Sequence, residues 1–218
     1  MRAIRRPRAD RGVTLIEVLV SMGLFALIGS LLLGLALSTQ AVTDSTRTRA
    51  GVTEETRTAM ERLTRELRQS AGIDAVTLPE LAGDGSMALT FWTDFDGDQV
   101  RDTAASDPEV LTYCWSPASQ SLTLGSTADC SAARPVLAAT VASVRLELDS
   151  SEWAYDANGD GTTTWLELDQ KGAPVGNQNG RPDGPELLHV DLVGVTIVVR
   201  DGNGEQSYET QIDLRNRS

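Results

Sequence analysis

GVTLIEVLVSMGLFALIGSLLLGLAL, residues 12–37, sets the fold, because it places one carboxylate, Glu17, at the mouth of an uncharged apolar run directly behind a basic leader. From Val18 to Leu37 no residue is ionisable. At about 1.5 Å per residue such a run just spans a ~30 Å hydrocarbon core, so it reads as a membrane helix. A carboxylate at the mouth of that helix costs roughly 2.5–3.5 kcal/mol to bury and calls for a partner. Upstream, the leader carries Arg2, Arg5, Arg6, Arg8 and Arg11 against Asp10, and no small-residue cleavage site of the ordinary secretory kind follows the apolar run. The arginines fix the leader in the cytoplasm, which places everything after Leu37 outside. Three segments result: residues 1–12 a basic leader, 13–70 a long N-terminal helix that is membrane-spanning over about 18–37, and 71–218 an extracytoplasmic head.

The stretch Gly12-Val13-Thr14-Leu15-Ile16-Glu17-Val18, in its place between leader and apolar run, resembles the processing motif of type IV prepilins and type II secretion pseudopilins. The resemblance implies that a prepilin peptidase cuts between Gly12 and Val13, that the new amino terminus is methylated, and that Glu17 becomes the fifth residue of the mature chain. Val13 stands where the family usually has Phe. In such a filament Glu17 is an assembly residue: it meets the terminal ammonium of a neighbouring subunit in a low-dielectric core, where an unpaired charge is strongly disfavoured. The implied partners are other pilins or pseudopilins, and the implied location is the inner membrane, crossed once, followed by a filament or the cell surface. A different reading is a membrane-anchored calcium-binding surface or adhesion protein that does not polymerise and has no use for Gly12 or Glu17.

Beyond the membrane run, residues 38–70 contain no proline and one glycine, Gly51, while Val52, Met60, Leu63 and Leu67 recur at near-helical spacing. The helix is predicted to run to about Gln69, ~80 Å in all, with Glu61–Arg65 and Arg62–Glu66 as pairs on its outer face. Short strands then take over: 87–92, a hairpin from 110–115 and 120–124, an alternating strand over 141–148, a long strand over 188–199 around Gly194, and a last one over 207–214. The fold class is α+β, a long N-terminal helix packed on an antiparallel β-sheet head, which is also what the pilin resemblance implies. The ending Tyr208-Glu209-Thr210-Gln211-Ile212-Asp213-Leu214-Arg215-Asn216, with Tyr113-Cys114-Trp115-Ser116-Pro117 upstream, looks like the J-type minor pseudopilin and W-type minor pilin group. Glu17 weighs against the K-type tip pseudopilin, which typically lacks it.

The formal net charge is −12, and removing the leader, with its five arginines and one aspartate, takes it to −16. So acidic a body argues against nucleic acid, whose phosphates call for a basic face. Outside the cytoplasm Cys114 and Cys130 can form a disulfide; a buried free pair is the alternative.

The acid is concentrated in loops. Asp156-Ala157-Asn158-Gly159-Asp160-Gly161-Thr162-Thr163-Thr164-Trp165-Leu166-Glu167 fits the twelve-residue calcium loop, with Asp156, Asn158 and Asp160 at positions 1, 3 and 5 and Gly161 at the turn. Thr162 offers a carbonyl at position 7 and Glu167 a bidentate carboxylate at 12. Oxygen-only ligation selects calcium, here as a structural ion. Two amphipathic helices usually flank such a loop and position 8 is usually apolar; this sequence shows no such helices and has Thr163, so the loop reads as grafted between strands. Weaker candidates are Asp94, Asp96, Asp98 and Asp102 in one loop and Asn177, Asn179, Asp183 and Glu186 in another; Asp169, or either of these loops, is a candidate to complete a composite site, a choice that spacing alone leaves open.

An enzyme is not indicated. The lone histidine, His189, shares a polar strand face with Asp191 and reads as a solvent-facing strand residue, and no G-x-S-x-G, phosphate loop or zinc spacing is present.

Overall fold

The computed structural model describes residues 13–98, 101–102, 109–127, 129–201 and 204–214. The chain divides into two compact units, one ending at Arg47 and one starting at Thr48, and the division falls inside helix α1, Leu15–Gln69.

In the first unit α1 starts behind Thr14, whose hydroxyl accepts the Glu17 N–H at 3.4 Å, the side-chain half of a Thr-x-x-Glu cap. The helix is long and apolar enough to cross a membrane, and none of its most apolar window is buried. Its few hydroxyls are satisfied internally: those of Ser21, Ser30, Ser38 and Thr39 donate to the carbonyls of Glu17, Leu27, Leu35 and Leu35 at 2.7–2.9 Å. That is the arrangement hydrocarbon demands of a polar side chain.

In the second unit α1 buries Thr56, Ala59, Met60, Leu63 and Leu67, a stripe at three- and four-residue spacing. Two antiparallel sheets share a core with it, where a single sheet was expected. The first contains β1 (Gly72–Thr77), β2 (Met87–Trp92), β3 (Val110–Ser116), β4 (Ser121–Gly125) and β5 (Arg134–Pro135) in chain order. The second has the order β7 (Thr163–Thr164), β6 (Thr140–Ser150), β8 (Leu192–Asp201) and β9 (Gly204–Asp213). A register shift between Val141 and Ser143 resets the alternation of β6, so that Val141 and Val144, three residues apart, both face the core.

Polar bonds tie the layers together. The Tyr113 hydroxyl on β3 donates to Glu66 on α1 at 2.6 Å, and Glu66 also takes Arg62 at 2.7 Å. Burial, and then the Glu66 carboxylate, push the Tyr113 hydroxyl far above its ordinary pKa, so it remains a donor. Trp115 Nε1 donates to the Val141 carbonyl at 3.0 Å, and the Val141 N–H donates to the Gln120 carbonyl at 2.8 Å, which links the two sheets. Cys114 and Cys130 form a disulfide.

Three expectations change. The long strand starts at Leu192 and not at Leu188, because Pro185 leads Glu186–Leu188 into a 3₁₀ turn. His189 therefore caps that turn instead of lying on a strand; its ring is half-buried, edge-on to Tyr155. Glu61 pairs with Arg57 at 3.6 Å where Arg65 was expected.

Because Leu67 is fully buried and Leu35 is exposed on the same helix, Leu67→Ala is expected to destabilise the head by about 2–5 kcal/mol. Leu35→Ala should leave head unfolding unchanged. Denaturant unfolding of the detergent-extracted chain, followed by tryptophan fluorescence, measures both.

Candidate functional site

Three acidic loops and the start of α1 carry the candidate residues. In the loop 156–167 the side chains are wound around the backbone. Asp156 accepts the N–H groups of Gly159 at 2.7 Å and Gly161 at 2.9 Å, Asn158 accepts that of Asp160 at 2.8 Å, and Asp160 accepts that of Thr162 at 2.9 Å. Gly159 and Gly161 take positive φ of 75° and 89°, the left-handed backbone that alternating side-chain turns require. The hydroxyl and then the N–H of Thr162 hold the exposed Asp160 carboxylate below its ordinary pKa.

The flanks differ from expectation. A 3₁₀ turn, Trp153–Tyr155, precedes the loop, and the seven-residue helix α2, Trp165–Lys171, follows it. Glu167 lies in the first turn of α2, in a capping box with Thr164: the Thr164 hydroxyl accepts the Glu167 N–H, and Glu167 Oε2 accepts the Thr164 N–H at 2.9 Å. Its Oε1 reaches back to the N–H groups of Ala157 at 3.1 Å and Asn158 at 3.3 Å, which closes the loop on itself. These bonds, that of Thr164 foremost, lower the Glu167 pKa. Thr163, the residue that breaks the pattern at position 8, is buried in β7 against β6 and donates its hydroxyl to the Glu152 carbonyl at 3.1 Å. It does the burying that an apolar residue does elsewhere, with its hydroxyl satisfied.

Among the described residues, the three carboxylates that each bring an oxygen within 4.8 Å of the others are Asp94, Asp96 and Glu109. Glu109 is buried and was missed in the sequence, because it lies at the mouth of β3, fifteen residues after Asp94 and outside any fixed loop pattern. Its oxygens accept the N–H groups of Phe95 and Asp102, each at 2.9 Å. The candidates Asp98 and Asp102 are not part of that trio. Asp98 gives its N–H to Asp96 at 3.0 Å.

The third loop packs on α2. Asn177 accepts the N–H of Asn179 at 3.0 Å, Asn179 accepts that of Arg181 at 2.8 Å, and both amides donate to Asp183. Asp169 of α2 accepts the N–H groups of Asn179 at 3.0 Å and Gly180 at 2.9 Å, and Glu186 accepts that of Asn177 at 2.7 Å. Gly176 permits this closeness, since a Cβ there would lie 2.1 Å from the Leu168 carbonyl oxygen. Burial pushes the Asp169 carboxyl upward, but the N–H groups of Gly180 and Asn179 outweigh it and hold the pKa low. Burial, with the Asp169 charge beside it, drives Glu186 up.

Of the processing residues, Val13 precedes α1, Glu17 is exposed in its first turn, and Gly12 lies outside the described residues. Neither a curated protein nor a solved structure matches the chain. Residues 7–36 match the model of the prokaryotic N-terminal methylation motif, which supports a type IV pilin or pseudopilin kinship through the segment that contains Gly12, Val13 and Glu17.

Proposed function

We propose that the chain is a non-enzymatic minor pilin or pseudopilin subunit, cut after Gly12, methylated on Val13, and assembled through α1 into a type IV pilus or a type II secretion pseudopilus. One coincidence carries the reading. The methylation motif at 7–36 overlaps the first part of α1, whose apolar side chains are uncovered among the described residues and whose only acid over 15–36, Glu17, sits in the first turn. Moving that segment from lipid into a bundle of like helices keeps it apolar on all sides, and the neighbouring ammonium supplies a partner for the Glu17 carboxylate. Within this reading, the short runs 113–117 and 208–216 favour a minor subunit of the J-type or W-type group. The cytoplasmic leader and extracytoplasmic head follow from the arginine count of residues 1–12.

The same proposal gives the loop 156–167 a structural calcium ion, held by Asp156, Asn158, Asp160, the Thr162 carbonyl and Glu167. The all-oxygen donor set, the two left-handed glycines and the carboxylate that closes the loop support it. At millimolar external calcium a site with Kd of about 10⁻⁴–10⁻³ M is substantially filled and stabilises by linkage.

Two measurements test these statements. In membranes with an active prepilin peptidase, the amino-terminal peptide should begin at Val13 and be one methyl group heavier; without the peptidase it should begin at Met1. An intact Met1 in both would favour the anchored calcium-binding protein. For the ion, the detergent-extracted chain should melt at lower temperature in EGTA than in millimolar calcium, with Glu167→Gln reducing the difference. A melting temperature indifferent to EGTA sinks the calcium assignment.

A further inference from the structure

The end of β2 and the start of β3 hold three carboxylates that the pilin reading does not use. Asp94, Asp96 and Glu109 each bring an oxygen within 4.8 Å of the others. That is the span across one cation whose oxygen ligands lie at roughly 2.3–2.6 Å. The three are graded in depth: Asp96 is exposed, Asp94 is half-buried and Glu109 is 1% exposed. Arg101, in the same loop, is paired with Asp74 of β1. No lysine or arginine among the described residues forms an ion pair with Asp96 or Glu109. Like charges converging on a buried carboxylate are costly without a positive partner.

A neutral oxygen lies in the same place. Thr93 Oγ1 has no hydrogen-bond partner although the residue is only 2% exposed. The strand pairing places it. Trp92 lies opposite Val110, and one step outward the Thr93 N–H donates to the Glu109 carbonyl at 2.9 Å. Residues opposed in an antiparallel pair project to one face, with Cβ atoms about 4.5–5.5 Å apart. Here it is the core face, on which Phe91 stacks against Tyr113 further along the same strands. Thr93 therefore stands beside the Glu109 side chain and one residue before Asp94, and its buried hydroxyl lies unpartnered at the floor of the trio. A water would give that hydroxyl a hydrogen bond but bring the carboxylates no charge. A cation answers both needs.

We propose that Asp94, Asp96 and Glu109, with Thr93 Oγ1 as a neutral fourth oxygen, bind a calcium ion at a site separate from the loop 156–167. An all-oxygen donor set is hard, which excludes the softer transition metals. Calcium takes about six to eight oxygens in flexible geometry, and so suits ligands drawn from a loop and a strand end better than magnesium does. Glu109 is the fixed ligand: its oxygens accept the N–H groups of Phe95 and Asp102 and keep further lone pairs. Asp96, on the solvent side, is the ligand the ion meets first. Bound there, the ion fastens the loop after β2 to the start of β3. The site needs neither cleavage nor polymerisation and shares no ligand with the loop 156–167, so it stands or falls apart from both.

The full chain, extracted in detergent and stripped of divalent ions, is titrated with calcium chloride in equilibrium dialysis, and each variant is read against wild type. Asp96→Asn, at an exposed position, should keep the fold and weaken one binding step about tenfold through the lost ligand charge. Glu167→Gln, which alters only the other loop, should leave that step intact. Thr93→Val keeps the side-chain shape and deletes the hydroxyl. In EGTA it should melt no lower than wild type, because it removes an unpartnered buried polar atom; in millimolar calcium it should melt lower. Three results overturn the proposal: wild-type calcium binding in Asp96→Asn, a Thr93→Val chain whose melting relative to wild type is the same with and without calcium, or a step that magnesium chloride fills equally well.

Discussion

The head depends on one helix face. Thr56, Ala59, Met60, Leu63 and Leu67 of α1 close the core that both sheets share, and they do so without interrupting the helix that begins at Leu15. The consequence is a division of labour along a single element. Before Arg47 every large apolar side chain of α1 is exposed within the chain; from Thr48 onward the apolar positions narrow to a stripe. The first pattern suits a solvent of hydrocarbon or like helices, the second a protein core. Glu66 anchors the second part by taking both Arg62 and the buried Tyr113 hydroxyl, which fixes the rotation of α1 against β3.

The acidic segment between β6 and β8 is held by a different economy. Within it Leu168, Val175, Leu187 and Val190 are all buried. These few apolar contacts pin the segment at intervals. Between them Asp156, Asn158, Asn177 and Asn179 order the backbone, each accepting an N–H two or three residues on.

How far the sequence revealed this depends on range. Helix α1 was legible to its last turn, because an uncharged run and then a 52-60-63-67 stripe are local signals with no competing proline. β2 was equally plain, six residues of alternating and aromatic type that the structure keeps as Met87–Trp92. β1, β5 and β7 were not read; two of these have two residues each, and they exist only because a neighbouring strand offers its edge. Helix α2 was hidden because Trp165-Leu166-Glu167 had already been read as the end of a calcium loop, although Thr164 and Glu167 spell its capping box. Glu109 was out of reach for a sharper reason. Its place beside Asp94 and Asp96 is set by the pairing of β2 with β3, a long-range fact that no spacing rule contains.

Helix α2 has seven residues, too few to be stable alone, and is gripped from two directions. Glu167 and Asp169 are two residues apart, about 200° around the axis, so they reach to opposite sides. One clasps the backbone at 157 and 158, the other the backbone at 179 and 180. The helix thus behaves as a crossbar between two buckles: a tilt that slackens one strap tightens the other. The rigidity of this acidic face is a property of the pair and belongs to neither loop by itself.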